Sequence, residues 1–183
     1  MNHDHHHTAL FVVGFYAPGV LQICVMLSFL LSPWGAPPRL GLAAWFLGGS
    51  VISVCLNLLL KKVIQDPRPI GWNAAGKYIE SGGLSDQWGM PSGHMQMSAF
   101  TLAFWYFAVG ERSRSSLTSG VFGVAATILL FITAVQRYVY RKHNVMQLLA
   151  GVVVGTMLAY GIVTQGAHKP AKTERDIRIR APY

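Results

Sequence analysis

"RKHNVMQLLAGVVVGTMLAYGIV" runs from Arg141 to Val163. From Val145 onward it is almost wholly apolar, and a helix over Val145–Val163 rises roughly 28 Å at 1.5 Å per residue. A bilayer's hydrocarbon core is about 30 Å thick, so this stretch is long enough to cross it. Its opening does not suit an inert anchor. His143 and Gln147 stand at the mouth of the apolar run, one helical turn apart on the same face. One reading is a capped, solvated helix start; the other is a reactive imidazole held by an amide.

The remainder of the chain repeats the membrane signal. Hydrophobic residues make up 52% of the 183 residues and charged residues only 12%, against about 25% charged in a soluble domain. The mean hydropathy is +0.37. Further apolar runs cover Ala9–Leu31, Leu40–Leu60, Met95–Val109 and Leu117–Val135. The third of these is short and gains length if its helix begins near Ser92. Irregular backbone does not face lipid. The expected fold is therefore an all-α, polytopic transmembrane helix bundle of about five spans. Residues 9–164 are read as one transmembrane domain, residues 1–8 as a flexible His-rich start and residues 165–183 as a basic polar tail. Small residues dot the later spans, and "GVVVG" at Gly151–Gly155 is a small-xxx-small pattern for close helix contact.

The net charge of +8 is carried at segment ends and in the tail, which suits membrane topology and excludes nucleic acid as the expected partner. Cys24 and Cys55 lie inside apolar runs and form no CxxC pair. The opening "MNHDHHH" has metal-binding composition but is read as a flexible end. Lys and Arg are nearly balanced between the two membrane sides. Setting aside Lys61, Arg68 and Arg137 as ligand-binding groups leaves the excess on the side of the tail. The positive-inside rule then puts the tail in the cytoplasm and the start of the Val145 span at a lumenal or exterior face.

Three polar clusters meet on that lumenal side: "KKVIQDPRP" from Lys61, "MPSGHMQ" from Met90 and "QRYVYRKHNVMQ" from Gln136. Taken singly, each residue has an ordinary explanation. Lys61 and Lys62 would anchor a span end, Arg137 would snorkel, and His94 or His143 would open a helix. Asp66 and Lys142 are expected to be solvated charges. Trp88, Tyr138 and Tyr140 suit an interfacial aromatic belt, and Gln96 suits helix packing or the site. Together, two imidazoles and three cations at one membrane face suit phosphoryl transfer. Charge on the equatorial oxygens of a phosphoryl group in flight is met by arginine forks and a lysine. Backbone N–H groups at Ser92 and Gly93 add an anion cradle. One imidazole would attack phosphorus and the other would protonate the leaving oxygen.

These residues resemble the type 2 phosphatidic acid phosphatase superfamily of membrane lipid phosphatases, whose pattern is K-x6-RP, PSGH and SR-x5-H-x3-D. Here the first reads Lys61 to Arg68-Pro69, the second Pro91-Ser92-Gly93-His94, and the third Gln136-Arg137, His143 and Gln147. The resemblance implies His143 as nucleophile and His94 as general acid. It implies Lys61, Arg68, Ser92, Gly93 and Arg137 as phosphate-binding residues, with neither metal nor other cofactor. Gln136 departs from the pattern's serine. Gln147 departs from the aspartate that orients the nucleophile. A glutamine carbonyl can accept the Nδ1–H bond of His143 but cannot stabilise imidazolium by charge. The nucleophile is then expected to be oriented but less basic, which favours the good leaving group of a diphosphate.

The dolichyldiphosphatase branch is similar in "KKVIQDPRP", in "WGMPSGHMQ" and in its glutamine. That likeness implies removal of the terminal phosphate of a polyprenyl diphosphate at the lumenal face of the endoplasmic reticulum. The partners implied are a lipid phosphate and the bilayer. Phosphatidate-type monoesters are the alternative substrate. A weakly active relative serving as a membrane scaffold or lipid-binding subunit is the alternative role.

Overall fold

The computed structural model describes residues 3–31, 39–69, 88–109 and 117–167. They form five helices: α1 His3–Leu30, α2 Leu40–Ile64, α3 Gly93–Ala108, α4 Leu117–Val139 and α5 Val145–Ile162, the last running into a π-helical turn over Val163–Ala167. Among the described residues there is no strand, only an isolated antiparallel bridge between Pro67 and Trp88. The basic tail from residue 168 and most of the Gln65–Pro91 connection lie outside the described residues, and α1 already begins at His3, within the segment expected to be flexible.

Four helices are long and apolar enough to cross a membrane: α1 from Ala9, α2, α4 from Ser119, and α5 with its π turn. The five helices match the expected bundle of about five spans, and α3, already the short run in the sequence, is the one that falls below membrane length by itself. Its 16 residues rise only about 24 Å. The shortfall is tolerable because α3 is the central helix. It packs against α1, α2, α4 and, most extensively, α5, so its ends do not have to meet lipid. Its buried positions include Phe100, Phe104 and Trp105 as well as Gln96, Ser98 and Thr101.

One end of the bundle is aromatic. Phe104 meets Phe46 of α2 at 5.3 Å and Phe29 of α1 at 6.0 Å between ring centroids. Outward-facing side chains such as Val51, Leu59, Phe131 and Met157 are exposed and apolar, which is a lipid-facing surface rather than a water-facing one. Both cysteines are free and on that exposed face.

The small-residue pattern in α5 explains its closeness to α3. A Cβ on Gly151 would sit 2.6 Å from the Ser92 carbonyl oxygen, and one on Gly155 would strike the Gln96 carbonyl. The two backbones therefore touch. Gly155→Leu is expected to prise this seam open. Overpacking costs typically about 1–3 kcal/mol, and with backbone as the obstacle the upper end applies. A lower melting temperature and poorer yield in detergent would show it; an unchanged melt would contradict the seam. Gly120 of α4 behaves differently, since it has open space around it.

Candidate active site

The polar end of the bundle is assembled from three chain reversals. α2 closes at Gln65, which adopts a left-handed φ of 52° and donates its N–H to the Lys61 carbonyl. The chain then returns to α3 through Trp88–Pro91, and Gly89 N–H donates to the Asp66 carbonyl at 2.7 Å. At the end of α4 the chain turns back through Arg141, whose φ is 51°. Lys142 and His143 both donate their N–H groups to the Arg137 carbonyl, at 2.9 and 3.3 Å. That reversal brings His143 beside Arg137 although five residues separate them along the chain. Arg68 closes the ring by donating from Nη1 to the Lys142 carbonyl at 3.1 Å.

The result is a cavity of about 370 Å³ whose polar wall is Lys61, Arg68, Gly93, His94, Arg137 and His143. Three sequence clusters thus face one space, and the two imidazoles share it. Ser92 caps the start of α3 beside this wall. It is fully buried, and its Oγ has no hydrogen-bond partner among the described residues. Its N–H donates to the Gln147 carbonyl at 3.0 Å. Gln147 is buried too but does not line the cavity.

His143 is 1% exposed, and its Nδ1 has no hydrogen-bond partner among the described residues. Burial, and then the positive charges of Arg137, Arg68, Lys61 and His94, hold its pKa well below the usual histidine value. The imidazole is therefore neutral around pH 7, with a lone pair available to an electrophile. The His94 ring lies 5.4 Å from the ring of Phe15, tilted by 48°, and α1 thereby contributes a wall of the cavity.

The expected His143–Gln147 bond is not made. The Gln147 side-chain carbonyl accepts from the Asn144 N–H at 3.1 Å, and Asn144 Oδ1 accepts from the Gln147 N–H at 2.9 Å. This is a capping box. It places His143 one residue before the cap and outside the helix, so the i, i+4 geometry of a helix interior does not hold. The Gln147 amide nitrogen points elsewhere, to Asp66 Oδ2 at 2.6 Å and the Pro67 carbonyl at 2.9 Å. Asp66 is thus engaged and half-buried rather than simply solvated. Lys142, also expected in solvent, is 1% exposed because the turn folds it inward. Gln136, where the pattern has serine, is fully buried against Gly14 of α1.

Sequence reading did not single out Ser53 and Asn57. With Lys61 they form a buried stripe along α2, spaced one turn apart. Asn57 Nδ2 donates to Gln96 Oε1 at 2.8 Å and to the Pro91 carbonyl at 3.2 Å. Gln96 Nε2 donates to the Ser53 carbonyl at 2.7 Å. Ser53, Asn57 and Gln96 form part of the cavity wall. The signal was available: polar residues at helical spacing inside an apolar span rarely face lipid. Among the described residues no group of His, Cys, Asp and Glu is placed to hold a metal ion.

A family model described as the PAP2 superfamily matches residues 42–170, a span that contains every motif residue of the cavity. The chain belongs to the PAP2 superfamily. Curated relatives with this likeness are dolichyldiphosphatases. The Saccharomyces cerevisiae protein is 25% identical over 147 residues, covering 72% of this chain and 60% of its own length. Dolichyldiphosphatase 1 of Rhinolophus ferrumequinum is 30% identical over 122 residues, covering 62% of this chain and 48% of its own. The Homo sapiens counterpart is 29% identical with the same coverage. The chain therefore spans roughly half to three-fifths of the length of these relatives. No solved structure matches. The PAP2 match starts after α1, so Phe15 is a cavity-lining residue that lies outside the matched span.

Proposed function

We propose that this protein is an integral-membrane phosphatase that hydrolyses an isoprenoid lipid diphosphate of the dolichyl or polyprenyl type through a phosphohistidine intermediate. The carrying observation is one cavity lined by Lys61, Arg68, Arg137, His94 and the neutral, buried His143. The cations, with the Gly93 backbone, hold the terminal phosphate. The lone pair of the His143 imidazole forms a P–N bond as the bond from phosphorus to the bridging oxygen breaks. His94 gives its proton to that oxygen, and the lipid monophosphate leaves. Water, deprotonated by His94, then attacks phosphorus, the P–N bond breaks, and inorganic phosphate departs. The same cations neutralise charge in both transition states, which is work a metal ion performs elsewhere.

The rest of the cavity supports a lipid substrate. Val54, Leu58, Met97 and Phe15 line it, and Val54 and Leu58 are also exposed on the lipid-facing surface of α2. A chain attached to the head group would thus stay in apolar surroundings. The names of the relatives support the diphosphate class. The distribution of Lys and Arg supports a lumenal or exoplasmic site, in the endoplasmic reticulum or another internal membrane. A second reading, a weakly active relative acting as scaffold or lipid-binding subunit, is favoured by one observation: the nucleophile candidate has no carboxylate on Nδ1 among the described residues.

Phosphate release from a panel of lipid mono- and diphosphates, with and without EDTA, decides between them. Turnover of isoprenoid diphosphate that EDTA leaves intact and vanadate inhibits is the expected result. Preference for phosphatidate would move the substrate assignment, and no release from any lipid would leave the scaffold reading standing.

A further inference from the structure

Gln147 occupies a junction of the whole site. Its side-chain oxygen caps α5, its backbone carbonyl holds the Ser92 N–H at the start of α3, and its amide nitrogen grips Asp66 Oδ2 and the Pro67 carbonyl. Arg68 follows Pro67 directly and binds the Lys142 carbonyl, next to His143. The segment bearing Arg68 is therefore pinned to the segment bearing His143 by three hydrogen bonds, one of them the Asp66–Gln147 bond. Gly89 packs so closely on the Gln147 amide that a Cβ there would strike it, so the amide has little room to swing away.

We propose that Asp66 and Gln147 are a positioning pair that sets the Arg68 guanidinium relative to His143, and that each dictates the other's chemistry. The amide nitrogen is a donor aimed at a carboxylate. A carboxylate at 147 would face the Asp66 carboxylate at 2.6 Å with no donor between them, and like charges at that range repel strongly. The glutamine is thus the partner that an aspartate in the preceding loop requires, and its role is exercised on Arg68 rather than on the His143 imidazole.

This inference rests on the phosphatase reading for its activity readout, and its test also has an arm that needs no turnover. The isosteric Gln147→Glu change keeps the oxygen that caps Asn144 and converts only the donor. Measured well above the carboxylate titration range, it is expected to lower kcat/KM for lipid diphosphate on the order of 100-fold, the scale of a misplaced catalytic group. Affinity for vanadate should fall with it, and so should the melting temperature in detergent, because the new buried carboxylate faces Asp66 with no donor between them. Asp66→Asn in the same background supplies an amide donor facing the new carboxylate and should restore both readouts to within about tenfold of the original.

With Arg68→Ala already present, Gln147→Glu should add little, because residues acting through one another are non-additive. The proposal is overturned if Gln147→Glu is as active as the parent, if Asp66→Asn does not rescue it, or if its loss adds in full to that of Arg68→Ala. Should the parent release no phosphate at all, the functional reading fails by itself, and vanadate affinity across the same variants still decides the pairing.

Discussion

His143→Ala is expected to abolish phosphate release, by on the order of 10^4-fold or more, as removal of a covalent nucleophile does. The fold should survive. Removing the imidazole leaves no new charge stranded, and the backbone N–H of residue 143 still bonds the Arg137 carbonyl that sets the turn. Radiolabelled lipid diphosphate gives a second readout: the parent protein, quenched with base during turnover, should carry alkali-stable, acid-labile phosphate, and the variant none. Full turnover by the variant would remove His143 from the nucleophile's place, and an unlabelled parent would remove the covalent step.

Replacement of Arg137 carries the next largest effect. Arg137 is 2% exposed and lines the cavity. Loss of one preorganised donor to a developing oxyanion typically costs about 10^2–10^3-fold in rate, and Arg137→Ala should fall there or lower. Arg137→Lys should recover little, because a point charge does not reproduce the planar fork.

The pH profile adds a signed check. Arg137 is the leading charge among those that hold the His143 pKa down, second only to burial. In the parent, His143 stays neutral until the pH falls well below the usual histidine value, so the acid limb of kcat/KM lies below 6.5. Taking away that positive charge stabilises imidazolium, raises the pKa and moves the acid limb toward higher pH. An acid limb that stays in place, or moves lower, would contradict the electrostatic assignment.

The helices were legible because apolar runs of membrane length have few alternatives. The shortness of α3 was legible as well, and its place among four neighbours explains it: a helix ringed by others escapes the length rule that binds a lipid-facing one. The charged part of the cavity wall was legible from motif spacing, whereas Phe15, Ser53 and Asn57 were not. The partner of Gln147 was not read correctly, although the clue stood in the chain. Asn144 followed three residues later by Gln147 ahead of an apolar run is the signature of a helix start, which puts His143 outside the helix. Asp66 and Lys142 were hidden by a different cause. Their environments depend on the left-handed turns at Gln65 and Arg141, and neither residue is the glycine that usually announces such a turn.

Gln96 links two regions that a mutational survey would ordinarily treat separately. Its side chain holds up the floor of the cavity, and its carbonyl is the surface on which Gly155 rests, deep in the bilayer. A slide of α5 along α3 by a fraction of an ångström would tilt that floor without touching any group that meets the ligand. Changes in substrate preference, whether arising by drift or by laboratory selection, should accordingly turn up among the glycines and alanines at mid-membrane as readily as around the mouth.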